Sequence, residues 1–369
     1  MNGARPAPPD EPERLVARGS ASLGGTSAHG VTDCVDLATV EGRARLDDEG
    51  LWFVVLDFDG RGHAWRFAER TSDGAADDRA ASAPVPVRTA WRGPAADTWR
   101  SSAGADRYRD DVARVRERVR EGDVYQVNLC RVLSAPLPAT GGQEPDATAL
   151  ATRLATGNPA PFGGYVHVPA GAGVEPVWVV TASPELFLRR DGTTLTSAPI
   201  KGTAADVGGL LPKDEAENIM ITDLVRNDLQ HVCQPGTVSV ESLLAVEQHP
   251  GLVHLVSTVT GELRDDVGWA QVLDATFPPA SVSGAPKSSA LRIIDTLEDE
   301  PRGPYCGAIG WVDADRGTAE LAVGIRTFWW RDGVLRFGTG AGITWGSDPG
   351  GEWDETELKA RRLVALASS

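Results

Sequence analysis

The sequence predicts an α+β fold with packed, mainly antiparallel sheets. Strand-like segments outnumber helical ones, and the Asp-Gly turns within 189–194 and 330–335 are typical of β-hairpins. The glycines at 338–342 do not open a helix after a strand, as a dinucleotide site requires, so a doubly wound parallel sheet is disfavoured. With 369 residues, of which 41% are hydrophobic, the chain can fill a sizeable core.

Charge and composition exclude several kinds of partner. The formal net charge of −16 argues against nucleic acid or an anionic membrane as the main partner. No run approaches the ~18 apolar residues of a membrane span, and the N-terminus lacks a basic-then-apolar export signal. The cysteines have no metal-binding spacing and are expected to be reduced core residues of a cytoplasmic protein: Cys34, Cys130, Cys233 and Cys306.

Composition shifts divide the chain into three predicted regions. We expect a disordered, Pro-rich N-terminus at 1–13, a short N-terminal part over 14–105 that packs on the core, and a core over 106–369. Residues 71–97 are rich in Ala, Asp and Pro and indicate a long connector. The predicted helices of the core begin near Tyr108 and cover about 213–232, 268–275, 286–298 and 352–367.

Periodicity supports the first two elements of the core. Tyr108, Val112, Val115 and Val119 recur at helical spacing, and Gly122 stands where a C-terminal glycine ends a helix. In the next segment, 123–135, apolar residues alternate with polar ones such as Gln126 and Asn128. This alternation predicts a strand with one polar face.

Two helices carry carboxylates on a core-facing stripe. Asp214 and Glu217 share helical spacing with Ile221, and Glu352 and Glu355 repeat the i, i+3 spacing in the last helix, with a stripe expected to continue to Leu358. Because buried carboxylates need a cation, the four acids indicate either two solvated helix starts or a site for a hard metal. All-oxygen ligands would favour Mg²⁺.

Cationic residues and glycines give a second, more ambiguous group. Lys201 stands between a Pro-Ile pair and Gly202, either as an ordinary surface lysine before a turn or as a functional amine. Arg326 lies in an apolar strand-like segment and needs a carboxylate partner, which a ligand or an internal acid would supply. The Ser-Gly-Ala-Pro turn at 283–286 and the glycines at 338–343 suit either a ligand or an ordinary turn.

Ten segments occur in an order that identifies a family resemblance: EGDVYQVNLCR, SPELFLRRDG, PIKGT, KDEAENIMITDLVRNDL, VHLVSTVTGEL, SVSGAPKSSALRIID, RGPYCGAIGW, GIRTF, GAGITWGSDP and EWDETELKA. From about Tyr108 onward the chain resembles the chorismate-utilising enzymes, which include anthranilate synthase component I, aminodeoxychorismate synthase component I, isochorismate synthase and salicylate synthase. The resemblance implies a four-layer α/β/β/α sandwich with the active site in the cleft between two sheets.

The resemblance also assigns roles to residues. It implies Glu217 and Glu355 as Mg²⁺ ligands, supported through water by Asp214 and Glu352. Glu185 would be the general acid that protonates the departing C4 hydroxyl of chorismate. The implied substrate contacts are Arg326, Tyr305, His254, Ser281, Gly340, Gly342, Gln126 and Thr203. Together with Mg²⁺, these groups would form a cationic pocket in an acidic protein.

Two positions distinguish activities within the resemblance. Relatives that add water have a lysine base where this chain has Gln126, so an ammonia-using enzyme is favoured. Anthranilate synthases resemble PIAGT, whereas aminodeoxychorismate synthases have PIKGT, so Lys201 resembles the nucleophile of the latter group. The expected reaction is amination of chorismate at C4 through a lysine adduct at C2, with ammonia from a glutamine amidotransferase subunit, towards p-aminobenzoate and folate.

Three alternatives remain open at the level of the sequence. They are an anthranilate synthase component I, a chorismate-binding protein without turnover and a Schiff-base aldolase. Two departures from the family pattern bear on them: Ala204-Ala205-Asp206 replaces a stretch with an arginine, and Pro279-Ala280 replaces a Gly-Gly pair. No clear tryptophan-binding stretch is present, so feedback inhibition by tryptophan is not expected.

Overall fold

The structure is a computed structural model that describes residues 17–72, 90–204, 207–210, 212–249 and 252–369. The predicted disordered segment at 1–13 and most of the predicted connector at 71–97 lie outside these residues. The described helices are α1 Val40–Ala44, α2 Ala105–Glu121, α3 Ala147–Gly157, α4 Pro212–Gln230, α5 Trp269–Thr276, α6 Lys287–Leu297 and α7 Pro349–Ala367.

The described strands outnumber these helices. They are β1 Ala17–Leu23, β2 Thr26–Asp36, β3 Leu51–Leu56, β4 Gly62–Ser72, β5 Arg100–Ser101, β6 Gln126–Pro136, β7 Phe162–Val168, β8 Val177–Ser183, β9 Leu186–Asp191, β10 Thr194–Ala198, β11 Ile200–Ala204, β12 Ser239–His249, β13 Leu252–Glu262, β14 Gly284–Ala285, β15 Ala308–Asp313, β16 Thr318–Val323, β17 Thr327–Arg331 and β18 Val334–Ile343.

All described strand pairings are antiparallel, as the hairpin turns predicted. The pairs run in the order β12, β13, β10, β9, β16, β15, β3, β4, β2, β1, β7, β8, β17, β18, β6 and β14. β11 also pairs with β13, and β5 pairs with β6. This ladder forms one large curled sheet, so its division into the two packed sheets of a four-layer sandwich stays a prediction.

Strands from the N-terminal part belong to the same ladder as those of the core. β1 pairs with β7, and β3 pairs with β15. β3 is buried over its whole length, and its Trp52 and Phe53 lie in the largest apolar cluster with Trp269. The boundary proposed near residue 105 stays a prediction.

Two helices illustrate what local pattern predicts and what it misses. α2 buries Tyr108, Val112 and Val115 as expected and ends at Gly122, which has φ 85°. α3 was not predicted, because its Ala- and Thr-rich sequence carries little periodic signal. Asp146 caps it by accepting a hydrogen bond from the Ala149 N–H (3.0 Å), and Leu150 lies in a buried cluster with residues of β8 and α7.

Two smaller expectations were wrong, and one open alternative is excluded. The glycines at 338–343 do not form the alternative hairpin turn, because they lie within β18 and pair with β6. Arg326 is not inside a strand, because the chain breaks there between β16 and β17. The stripe of α7 does not continue to Leu358, which is 67% exposed, but passes through Thr356 and Ala360. Within the described residues, no helix has both the length and the apolar character needed to cross a membrane.

Candidate active site

β11 places Lys201 next to the first turn of α4. Lys201 lies opposite Leu255 of β13, and the pairing shifts register at the following residue. That residue, Gly202, has φ 79°, and a Cβ added to it would lie only 2.8 Å from Cβ of Asp214. Glycine is therefore required both for the left-handed backbone and for the close approach of α4. Gly202 thus allows β11 to place Lys201 beside the carboxylates of α4.

The amine of Lys201 faces several strands and helices at once. A Cβ added to Gly342 of β18 would lie 3.5 Å from Nζ of Lys201 and 2.2 Å from Nε2 of Gln126, so both side chains meet over this glycine. Burial lowers the pKa of Lys201, and the carboxylates of Glu217 and Glu185 oppose this shift. A lowered pKa increases the fraction of neutral amine, which is the nucleophilic form.

Glu185 is the buried acid of the site. It is 3% exposed, its Oε1 accepts a hydrogen bond from the Ile200 N–H (3.2 Å), and Ser281 also donates to it. Burial raises the pKa of Glu185, although these hydrogen bonds and the charge of Lys201 act in the opposite direction. A carboxyl group with a raised pKa is suited to donate a proton near neutral pH.

Arg326 lies in a strained backbone conformation near this acid. It has φ 53°, which is uncommon for a residue other than glycine, and its carbonyl accepts a hydrogen bond from the Ala182 N–H (3.0 Å). Burial lowers the pKa of Arg326, and the charge of Glu185 opposes this shift. The arrangement provides a guanidinium for an anionic group of a ligand.

Four carboxylates of α4 and α7 interact electrostatically. Burial raises the pKa of Glu217, with Asp214 and Glu355 adding like charge, and burial also raises the pKa of Glu352. At Glu355 burial acts in the same direction, but it is outweighed by Lys359, whose Nζ lies 2.7 Å from Oε1, so the pKa is lowered. Neighbouring carboxylates that are buried or partly buried are a donor set suited to a hard divalent cation.

The carboxylates do not form a complete metal cage in this structure. Across the described part of the chain, no three His, Cys, Asp or Glu side chains lie close enough together to hold a metal ion. The donor chemistry fits Mg²⁺, and the ligand roles of Glu217, Glu355, Asp214 and Glu352 stay predictions.

The remaining predicted contacts are more scattered. His254 is buried on β13, opposite the backbone of Thr203, whose side chain lies outside the described part. Tyr305 packs its ring where a side chain on Gly338 would lie, and its hydroxyl interacts with Cys130 and Cys306. A Cβ on Gly340 would contact the Cys130 sulfur at 2.6 Å. The substrate roles of these residues stay predictions.

Comparison with known proteins gives the family. A model of chorismate binding enzymes matches residues 51–365. The chain belongs to the chorismate binding enzyme family. The match begins well before Tyr108 and includes β3 and β4.

Relatives within the chorismate binding enzymes are named as synthases of different products. Anthranilate synthase component 1 of Streptomyces coelicolor is 37% identical over 302 residues, which is 76% of this chain and 57% of the relative. Aminodeoxychorismate synthase component 1 of Klebsiella aerogenes is 35% identical over 278 residues, 72% of this chain and 59% of the relative. The chain therefore spans less than two thirds of the length of either relative.

A solved structure supports the fold of this chorismate binding enzyme. Anthranilate synthase component I from Streptococcus pneumoniae matches with a TM-score of 0.77, covering 99% of this chain and 95% of that chain, at 21% identity. The mixed α/β fold with its large antiparallel sheet is therefore shared with that structure.

Sequence reasoning missed one residue that fixes the site. Asn218 is fully buried in α4, beside Glu217, and its Nδ2 donates to the Leu255 carbonyl (3.0 Å). Its Oδ1 accepts a hydrogen bond from Ser257. Asn218 therefore ties α4 to β13 at the residue opposite Lys201. The available signal was an amide next to the carboxylate stripe of an amphipathic helix.

Proposed function

We propose that this protein catalyses the amination of chorismate at C4, giving 4-amino-4-deoxychorismate, in the manner of an aminodeoxychorismate synthase component I. The observation that carries the proposal is the position of Lys201. Its amine faces Gln126 across Gly342 and has its pKa lowered by burial between Glu185 and Glu217. Such an amine is suited to attack a carbon rather than only to bind an anion.

In the proposed reaction, Lys201 occupies C2 so that nitrogen enters at C4. The lone pair of its neutral amine forms the bond to C2 while Glu185 protonates the departing C4 hydroxyl, which leaves as water. Ammonia then bonds to C4 and expels the lysine from C2. Arg326 orients the substrate by pairing with the enolpyruvyl carboxylate, and Ser281 positions the carboxyl group of Glu185.

Mg²⁺ held by Glu217 and Glu355, with support from Asp214 and Glu352, would neutralise the ring carboxylate of chorismate. The residues of the chain contribute this set of acids from two helices that the fold brings into electrostatic contact. Lys359 neutralises part of this negative charge through its ion pair with Glu355. Its ammonium would have to move aside for the cation to bind Glu355.

Gln126 supports ammonia, rather than water, as the second reactant. Its side chain is 1% exposed, and in the described part of the protein its Oε1 is a buried acceptor without a hydrogen-bond partner. An amide has no basic nitrogen and cannot deprotonate water, but its oxygen can accept an N–H hydrogen bond. Gln126 would therefore orient ammonia or the amine of Lys201.

We also propose that ammonia comes from a separate glutamine amidotransferase subunit in the cytoplasm. The support is that the relatives described above are named as component 1 of their synthases. A 4-amino product would lead towards p-aminobenzoate and folate.

Anthranilate formation is the second candidate, because the relative from Streptomyces coelicolor is named anthranilate synthase component 1. In that reaction ammonia enters at C2, and pyruvate is then lost. The two reactions are distinguished by incubating the protein with chorismate, Mg²⁺ and ammonium and determining the products by mass and fluorescence. We expect 4-amino-4-deoxychorismate, whereas anthranilate as the main product would overturn the proposal.

Two variants of Lys201 test its role. Lys201→Ala is expected to lose most formation of the 4-amino product and to reveal a small anthranilate-forming activity. Lys201→Arg keeps the positive charge, but a guanidinium stays protonated and cannot supply the nucleophile. It is therefore expected to be as inactive as the alanine variant. Undiminished 4-amino product from either variant would exclude the covalent role.

A further inference from the structure

The proposed reaction, on which this inference rests, consumes one proton per turnover. Glu185 loses its proton as the C4–O bond breaks and water leaves, and the new bond from Lys201 to C2 produces a secondary ammonium. When ammonia bonds to C4, the C2–N bond breaks and its electron pair returns to Lys201 as a neutral amine. The product carries the positive charge at C4, so Glu185 ends the cycle as a carboxylate.

Glu185 must therefore regain a proton before the next turnover. The product ammonium is a poor donor, because amines hold their protons far more strongly than carboxylates do. Glu185 is only 3% exposed, and its carboxylate accepts hydrogen bonds from the Ile200 N–H and from Ser281. Direct exchange with bulk solvent through the substrate side is thus hindered whenever a ligand covers the acid.

A small cavity next to Glu185 offers another route. It has a volume of about 20 Å³, which is enough for about one water molecule. Its lining includes Glu185, Ser281 and Asp228 of α4, with Ser197 and Thr276 as further polar residues. A water in this space would have the polar partners that a buried water needs.

Asp228 lines this cavity and is also partly exposed to solvent. Its side chain is 15% exposed, and its Oδ2 accepts a hydrogen bond from Nζ of Lys287 (2.9 Å). Lys287 is 23% exposed and also donates to the Thr276 carbonyl (3.0 Å). Asp228 is therefore held in place while it keeps access to solvent. Burial raises the pKa of Asp228, with Lys287 acting in the opposite direction, so protonation of the carboxylate is eased.

We propose that Asp228 and the cavity beside Glu185 form a proton-uptake path that reprotonates Glu185 once in each turnover. A proton passes from solvent to Asp228, from Asp228 to a water in the cavity and from that water to Glu185. Asp228 contacts neither substrate nor reacting atoms, so it acts through Glu185 as a positioning and relay residue.

The test compares one turnover with many in Asp228→Asn. The amide oxygen can still accept the hydrogen bond from Lys287, but the side chain cannot carry a proton at neutral pH. With enzyme in excess over chorismate, the single turnover starts from an enzyme that has already equilibrated its protons with solvent, so its rate is expected to stay within about twofold of wild type. With chorismate in excess, kcat is expected to fall at least about tenfold, with a burst of one product per site.

Two further variants complete the test. Asp223→Asn, on the exposed face of α4 beside Arg226, is the matched control and is expected to keep both rates. Val225→Ile adds a methylene group to the cavity lining and is expected to reproduce the burst without changing a charge. It also serves as the test should Asp228→Asn fail to fold.

The outcomes separate this inference from the proposed function. Equal slowing of single and multiple turnovers in Asp228→Asn would show a purely structural role and overturn the relay. Unchanged kinetics in both cavity variants would overturn it as well. If the wild-type protein consumes no chorismate with ammonium, both the proposed function and the relay are wrong. Turnover to anthranilate would overturn only the product assignment, because the burst test follows chorismate consumption.

Discussion

Gly342→Ala should test whether Gln126 and Lys201 act at one point of the cleft. An added Cβ would lie 2.2 Å from Nε2 of Gln126, about 1.2 Å short of the 3.4 Å at which ordinary contact begins. Gln126 is almost fully buried, so it cannot turn into solvent. Its amide must therefore retreat by about 1 Å, and a displacement of this size within a catalytic arrangement can cost about 100-fold in rate.

We expect kcat/KM for chorismate with ammonium to fall by up to about 100-fold, equivalent to about 2.7 kcal/mol of transition-state stabilisation. Overpacking should also lower the free energy of unfolding by about 1–3 kcal/mol, measured by denaturant titration. Gly346→Ala is the matched control, because nothing lies within 4 Å of its added Cβ. Wild-type activity in Gly342→Ala, with the control unchanged, would refute the convergence of Gln126 and Lys201.

Two more predictions concern pH and metal. Asp57 lies in the turn after β3, and burial raises its pKa from 3.8 to about 6. The folded state therefore holds the Asp57 proton more tightly than the unfolded state does, and this contribution to stability is lost as pH rises from about 4 through 6. Asp57→Asn should therefore raise the unfolding free energy at pH 7.5 by up to about 3 kcal/mol and leave it unchanged at pH 3.5; a loss at pH 7.5 would contradict this. Chelation should abolish chorismate turnover and added Mg²⁺ restore it, and Glu217→Gln should need more Mg²⁺ for half-maximal rate; activity that persists in chelator would contradict the metal site.

Features that depend on neighbouring residues in the chain were predictable. The helix of Tyr108 and Val112 follows from apolar spacing, and its end follows from Gly122. The stripe of Glu217 and Ile221 likewise appears in α4 as the periodicity required. Lys201 before Gly202 also had a local signal, because a residue with a left-handed backbone is usually glycine.

Features set by distant segments were not predictable in the same way. The left-handed backbone of Arg326 depends on the hydrogen bond from Ala182 to its carbonyl, more than a hundred residues away in sequence. α3 lacks a strong apolar period and depends on its cap and on packing against β8 and α7. The cavity between Glu185 and Asp228 exists only once α4 packs against the strands.

The most direct test of the account is the mass of the protein after incubation with chorismate and Mg²⁺ in the absence of ammonia. The account predicts a covalent adduct of chorismate minus water on the peptide that contains Lys201, which disappears when ammonium is added. An unmodified Lys201 peptide, from a protein that converts chorismate to the 4-amino product once ammonium is supplied, would contradict it.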